Sequence, residues 1–130
     1  MQPIWTLRFD GLRNLLHVRL EGPHTEWTVR AVLDAASSAG EYQPGMNQLW
    51  DVREADLSVL DGDAVQHLVE HMVSLPLEKD VKVAIVAVRP LEFGLARISQ
   101  AYFDDLATTT TRAFDSAEEA EAWLLGAGSG

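Results

Sequence analysis

Apolar and polar residues alternate at the start of the chain. Ile4 to Phe9 and Leu15 to Leu20 both follow this pattern, which is typical of strands with one buried face. Asp10 to Asn14 separate them, so the sequence predicts a β-hairpin with a short bulged loop. We expect Gly11 to supply the turn chemistry, because glycine accepts positive φ without steric cost. Gly22-Pro23 then ends the second strand.

Helical periodicity appears in four later segments, two of which begin with a capping signal. Their approximate bounds are Thr25–Ser38, Asp61–Leu75, a segment that follows Pro90, and Ser116–Leu125. The residues predicted to face the core on the first three are Val29, Val32, Leu33 and Ala36, then Ala64, Val65, Leu68, Val69 and Met72, then Leu91, Leu95, Ile98, Tyr102 and Leu106.

Three strand segments lie between these helices: Gln48 to Val52, Val81 to Val88, and Arg112 to Phe114. The middle one is almost all β-branched or small, which is typical of a strand covered on both faces. Each passage between the later strands contains a helix, which implies parallel strands with right-handed crossovers. The predicted fold is a single α/β domain over residues 1–125, with one mixed sheet of about five strands (the N-terminal β-hairpin, then parallel strands) and about four helices. Residues 126–130 form a predicted disordered tail.

Charge and composition exclude several classes of function. The formal charge of -10, from 20 acidic and 10 basic residues, repels phosphate backbones and anionic membranes, so we expect no nucleic-acid partner and no membrane insertion. The absence of cysteine excludes disulfides, thiolate metal sites and thiol catalysis. Neither a signal-peptide pattern nor an apolar run of about 20 residues is present, so we expect a cytoplasmic protein.

Metal and catalytic motifs give little support for an enzyme. His67 to His71 fits H-x-x-E-H, in which two histidines one helical turn apart bind zinc. His67 and His71 also sit at the polar edge of an amphipathic helix, where surface histidines are expected, and we favour that interpretation. No nucleophile elbow, phosphate-binding glycine loop or dinucleotide motif occurs. We therefore expect no catalytic residues, no metal and no cofactor.

Two stretches place an arginine and a carboxylate where a buried strand gives way to a loop or helix: Leu49 to Arg53, and Arg89 to Arg97. Ligands and partners meet open α/β sheets at the carboxyl ends of strands. Asp51 and Arg53 lie two apart, so both side chains leave the same face. Either they form an ion pair that orders the following loop, which we favour, or Arg53 binds an anionic group.

The third helix offers a candidate interface. With Leu95 and Tyr102 facing the core, Phe93, Arg97 and Gln100 fall on the opposite side. An exposed phenylalanine one turn before an arginine is either a cation–π pair or an anchor for a partner. The same ambiguity holds for Trp27, which lies off the apolar stripe of the first helix. Trp27 either covers a loop or extends the same interaction surface.

Three segments together resemble small bacterial proteins of the STAS-like superfamily. They are Leu49 to Arg53, Val83 to Tyr102 and Phe114 to Leu124, within a resemblance that spans roughly Ile4 to Leu125. The branch is the SpoIIAA-like one, which is similar to sporulation anti-sigma factor antagonists and is also compared with CRAL-TRIO lipid-transfer domains.

The resemblance implies a non-enzymatic domain that binds a protein partner or a small ligand. In the antagonists a serine at the start of the helix after the third strand is phosphorylated. Here the aspartate-serine-serine-glycine signature is missing from Leu57 to Asp63 and only Ser58 lies nearby, so that role is not carried over.

We therefore expect a binding or regulatory module that acts through protein–protein interaction and self-associates, as a homodimer. The expected surface comprises Asp51, Arg53, Phe93, Arg97 and Gln100. The alternative is a carrier of a small apolar molecule or lipid, with a cavity between the sheet and the third helix.

Overall fold

The computed structural model describes residues 2–75, 81–106 and 109–126, so most of the predicted disordered tail lies outside the described residues. Five strands and four helices follow in the predicted order within these ranges, and none of these helices is long and apolar enough to cross a membrane. The elements are β1 (Ile4–Asp10), β2 (Leu15–Pro23), α1 (Glu26–Ser38), β3 (Asn47–Asp56), α2 (Gly62–Ser74), β4 (Lys82–Val86), α3 (Pro90–Leu106), β5 (Thr110–Phe114) and α4 (Ala117–Leu124).

The strands form one mixed sheet in the order β1-β2-β3-β4-β5. β1 pairs with β2 antiparallel, and the other three pairings are parallel, which confirms the predicted fold class. β3 is longer than predicted: after a bulge it continues alongside β2, with Glu54 opposite Glu21 and Asp56 opposite Pro23. The residues beyond Val52 are mostly polar and do not show a strand pattern in the sequence. They are held in the sheet by pairing with β2, which is distant in sequence.

Two cores form on the two faces of the sheet. The larger packs α1, α2 and α3 against side chains such as Val18, Trp50 and Val83. The smaller packs α4 against Leu15 and Leu49 and their neighbours on β4. Successive parallel strands joined by right-handed crossovers, all added in one direction, place their helices on a single face. α4 follows the last strand and is free to cover the other.

The hairpin turn uses a different residue from the one predicted. Asn14 has φ 55°, whereas Gly11 does not adopt positive φ. Asparagine tolerates this left-handed conformation, and Asn14 Nδ2 donates a hydrogen bond to the Gly45 carbonyl at 2.9 Å. The Asp10 carboxylate accepts the Arg13 N–H at 3.1 Å and closes the start of the loop. Side-chain hydrogen bonds, rather than glycine, thus define the turn.

The buried stripe of α3 is rotated from the predicted one. Leu91 and Ile98, both predicted to face the core, are exposed. Glu92 and Phe103 are buried instead, and Leu95 remains buried as predicted. The sequence pattern excluded a glutamate from the core because an unpaired buried carboxylate is costly. In the structure the Glu92 carboxylate has hydrogen-bond and ion-pair partners, and α3 is rotated so that Glu92 faces the core.

The backbone at Gly22 should tolerate no side chain. Its φ is +74°, and an added Cβ would lie 2.7 Å from the carbonyl oxygen of Gln2. We expect Gly22→Ala to lower the free energy of unfolding by roughly 1–3 kcal/mol, measured by urea denaturation. Gly11→Ala is the matched control, because its Cβ would meet nothing within 4 Å. It should change stability by less than about 1 kcal/mol, and equal losses in both variants would contradict the strain at Gly22.

Candidate binding site

Arg89 and Glu92 hold the start of α3 against the end of β3. The Glu92 side chain is buried, with the residue only 4% exposed. Its Oε2 accepts the Leu57 N–H at 3.1 Å, and its Oε1 lies 3.2 Å from Arg89 Nε. Arg89 also donates a hydrogen bond to the Ala55 carbonyl. A carboxylate withdrawn from water requires such partners. These contacts therefore fix the position of the start of α3 relative to the carboxyl end of β3.

An apolar cavity of about 110 Å³ lies between the sheet and α1, α2 and α3. Its walls include Leu33, Trp50, Met72 and Phe103, while Glu92 and Ser99 are the polar lining residues. A cavity of about 150 Å³ with comparable walls stays dry and binds benzene in another protein. The carrier hypothesis placed a cavity between the sheet and α3, and the observed one extends further, beneath α1 and α2.

Exposed apolar side chains gather where the parallel strands end. Trp27 at the start of α1 is 76% exposed, and Val59 in the loop between β3 and α2 is 68% exposed. Val88 and Leu91, between β4 and the first turn of α3, are also exposed. We call these four residues the carboxyl rim. The strand ends beneath it are joined, since the His24 N–H donates to the Asp56 carbonyl at 3.0 Å.

Asp51 and Arg53 form the ion pair that the sequence favoured. Arg53 Nη2 and Nε donate to the two Asp51 carboxylate oxygens at 2.8 and 2.9 Å. Burial raises the pKa of Asp51, but the hydrogen bonds and charge of Arg53 outweigh it and hold this pKa below its usual value. Val52 between them belongs to the larger core, so both side chains lie on the face opposite α3.

The remaining predicted interface residues lie on α3 in three different settings. Phe93 is half-buried and packs against the larger core, contrary to the exposed position predicted for it. The cause is the rotation of α3 that buries Glu92. Gln100 is half-buried and its Oε1 accepts the Ala113 N–H of β5 at 3.2 Å. Arg97 is exposed, as predicted. The structure thus does not bring the five predicted residues together on one surface.

The two histidines of the H-x-x-E-H motif face carboxylates of α1. His67 Nδ1 lies 3.4 Å from Glu26, and His71 Nε2 lies 2.7 Å from Asp34 Oδ1. The two pairs link α2 to α1. Among the described residues, no group of three histidine, aspartate or glutamate side chains is positioned to hold a metal ion.

Sequence reasoning missed the buried role of Glu92 and, apart from Trp27, the residues of the rim. Arg89 and Glu92 stand three apart after a buried strand, and that spacing was the available signal because it brings side chains together in a first helical turn. Their acceptor and donor on β3 and the following loop lie more than thirty residues away, at separations of 34 and 35 positions. No local pattern reports such contacts.

Removal of Arg53 should raise the pKa of Asp51. Arg53→Ala deletes the hydrogen bonds and the positive charge that lower this pKa and leaves the burial that raises it. A carboxyl ¹³C NMR titration should show the rise, while Arg97→Ala should leave the Asp51 titration unchanged. A depressed folded-state pKa stabilises the protein above the ordinary value of about 3.9. The stability advantage of wild type over Arg53→Ala should therefore shrink as the pH falls below about 3.9.

No known protein family matches the sequence, and no curated protein matches it. A solved structure does match: an uncharacterised protein of the DUF3478 family with a SpoIIAA-like fold, from Shewanella loihica PV-4. The two chains are 18% identical with a TM-score of 0.59, and the match covers 94% of this chain and 93% of the other. The protein described here therefore has a SpoIIAA-like fold, as the resemblance in its sequence implied.

Proposed function

We propose that this protein is a non-enzymatic binding module that engages a protein partner through the carboxyl rim. The observation that carries the proposal is the exposure of Trp27, Val59, Val88 and Leu91 at one end of the sheet. Clustered exposed apolar side chains mark interaction surfaces, and tryptophan is enriched among residues that dominate binding energy. The carboxyl end of an open α/β sheet is also its usual binding end. A cytoplasmic location remains part of this proposal.

The charges beside the rim favour a partner with basic groups around an apolar centre. Asp56, Asp61 and Asp63 are exposed in and beside the loop that carries Val59. Hydrogen bonds with Ser58 lower the pKa of Asp56 and so favour its charged form. Complementary charge around an apolar centre raises association rates and disfavours wrong partners.

The rim, rather than the surface first predicted from the sequence, is the better candidate interface. Phe93 and Gln100 contact the rest of the fold, and Asp51 is paired with Arg53 on the opposite face. Arg97 lies on α3 beside Ile98. Ile98 is exposed and lies two helical turns after Leu91, on the same side of the helix. An interface centred on the rim would therefore reach Arg97 along this side of α3.

Site-specific photo-cross-linking in the native host tests the rim. A benzoylphenylalanine at Leu91 should yield one reproducible protein adduct, and the same group at Leu125 should not, because Leu125 is exposed after α4, beside the start of β3 at the other end of the sheet. The adduct identified by mass spectrometry should then bind the purified protein, with affinity reduced about tenfold or more by Trp27→Ala. Equal adducts from both positions, or unchanged affinity in Trp27→Ala, would contradict the proposal.

The cavity favours a second candidate function, the carriage of a small apolar molecule. About 110 Å³ of space is lined almost entirely by apolar side chains. This volume suits a ligand of a few heavy atoms and is too small for a lipid chain unless α3 moves away from the sheet. The candidate ligand class is therefore a small, uncharged apolar molecule.

Filling the cavity should abolish the binding of a small apolar probe. Ala96 is buried in the cavity wall, whereas Ala101 is exposed on the same helix. We expect ¹²⁹Xe NMR to detect saturable xenon binding by the wild type and by Ala101→Leu, with loss of binding in Ala96→Leu. A wild type that responds to xenon no more than Ala96→Leu does would remove the support for a carrier.

A further inference from the structure

The free side of β5 is protected by a side chain. The Thr110 N–H donates to the carbonyl of Val81, the residue before β4, and the Phe114 carbonyl accepts from the N–H of Ala87, the residue after β4. Alternation along the strand therefore directs the peptide groups of Ala113 away from the sheet. Gln100 Oε1 accepts this N–H at 3.2 Å, and α3 packs beside the strand. The edge at β5 is thus closed to another strand at this position.

The free side of β1 has no such protection among the described residues. β1 is seven residues long, and its unbroken register pairs it with β2 alone. It contains no proline and no bulge, two of the devices that protect an edge strand, and its two charged residues, Arg8 and Asp10, are of opposite sign. Ile4 is 53% exposed and Trp5 is 43% exposed, while Leu7 and Phe9 are only half-buried. A strand of this kind is a template for another strand.

We propose that two copies of this chain pair antiparallel along β1, about a two-fold axis at Leu7, and form a continuous ten-stranded sheet. Pairing centred there uses all seven residues of each strand. It sets Leu7 opposite its own copy and Trp5 opposite the partner's Phe9, an aromatic cross-strand pair of the stabilising kind. The proposal is independent of the rim, which lies on other elements.

Charge supports this register and this occupant. The full chain carries -10, but β1 holds one Arg8 and one Asp10 and is neutral, so the pairing avoids acidic repulsion between copies. Pairing centred on Arg8 would oppose two like charges, which is unfavourable. Pairing centred on Thr6 or Phe9 would leave part of each strand unpaired. Gln100 disfavours attachment of β1 to a neighbour's β5, so the assembly closes as a dimer rather than growing into a filament.

Substitution of Trp5 on β1 and of Trp27 in the rim distinguishes this dimer from the binding of a partner at the rim. Sedimentation analysis should show a wild-type dimer whose dissociation constant rises about tenfold or more in Trp5→Lys, because a lysine replaces an aromatic contact and blunts the edge. Trp27→Lys should dimerise as the wild type does, since Trp27 belongs to the rim. A wild type that stays monomeric at the highest concentration tested, or a dimer weakened by Trp27→Lys and not by Trp5→Lys, would overturn the proposal.

Cysteine trapping tests the register, and the chain's lack of native cysteine makes the result unambiguous. Opposed residues of antiparallel strands have Cα atoms about 4.5–5.5 Å apart, within disulfide reach. Leu7→Cys should therefore yield a disulfide-linked dimer under mild oxidation. Thr6→Cys should not, because Thr6 and its copy would be diagonal neighbours about 7–8 Å apart. Preferential trapping of Thr6→Cys would overturn the Leu7-centred register.

Discussion

The direction in which strands are added to the sheet determines most of this structure. From β2 to β5, each parallel strand is placed beside the previous one, always on the same side. Right-handed crossovers then put α1, α2 and α3 together on one face. That layer encloses the larger core and the cavity, while among the described elements α4 is the helix that covers the other face. The same order leaves β1 at one edge and gathers the starts of α1, α2 and α3 at the carboxyl end.

The buried carboxylate of Glu92 sets the phase of α3 within that layer. The Leu57 N–H and the Arg89 guanidinium satisfy it, which offsets the cost of removing it from water. Once this face of the first turn is buried, Leu91 must point outward, and Ile98 follows because it lies two turns further along the same side. One polar contact thereby shapes both the cavity wall and the exposed rim.

Local signals in the sequence predicted the elements well and their long-range relations poorly. Thr25 and Ser116 were identifiable as helix starts because their side chains accept hydrogen bonds within the first helical turn. The pairing of Asp51 with Arg53 was also predictable, since strand alternation alone brings them to one face. The burial of Glu92 was not predictable, because its backbone donor lies 35 positions away. The interface predicted on α3 relied on the helix phase that this contact changes.

A dimer paired along β1 would have a defined arrangement of binding surfaces. The two copies of β1 run in opposite directions, and each carboxyl rim lies at the end of the sheet where its own β1 begins. The two rims would consequently face opposite ends of the ten-stranded sheet. Each rim would be next to the hairpin loop of the other copy, which carries the exposed Leu12. Two partner molecules could then bind without competing for space, and each would have a second surface within reach on the neighbouring copy.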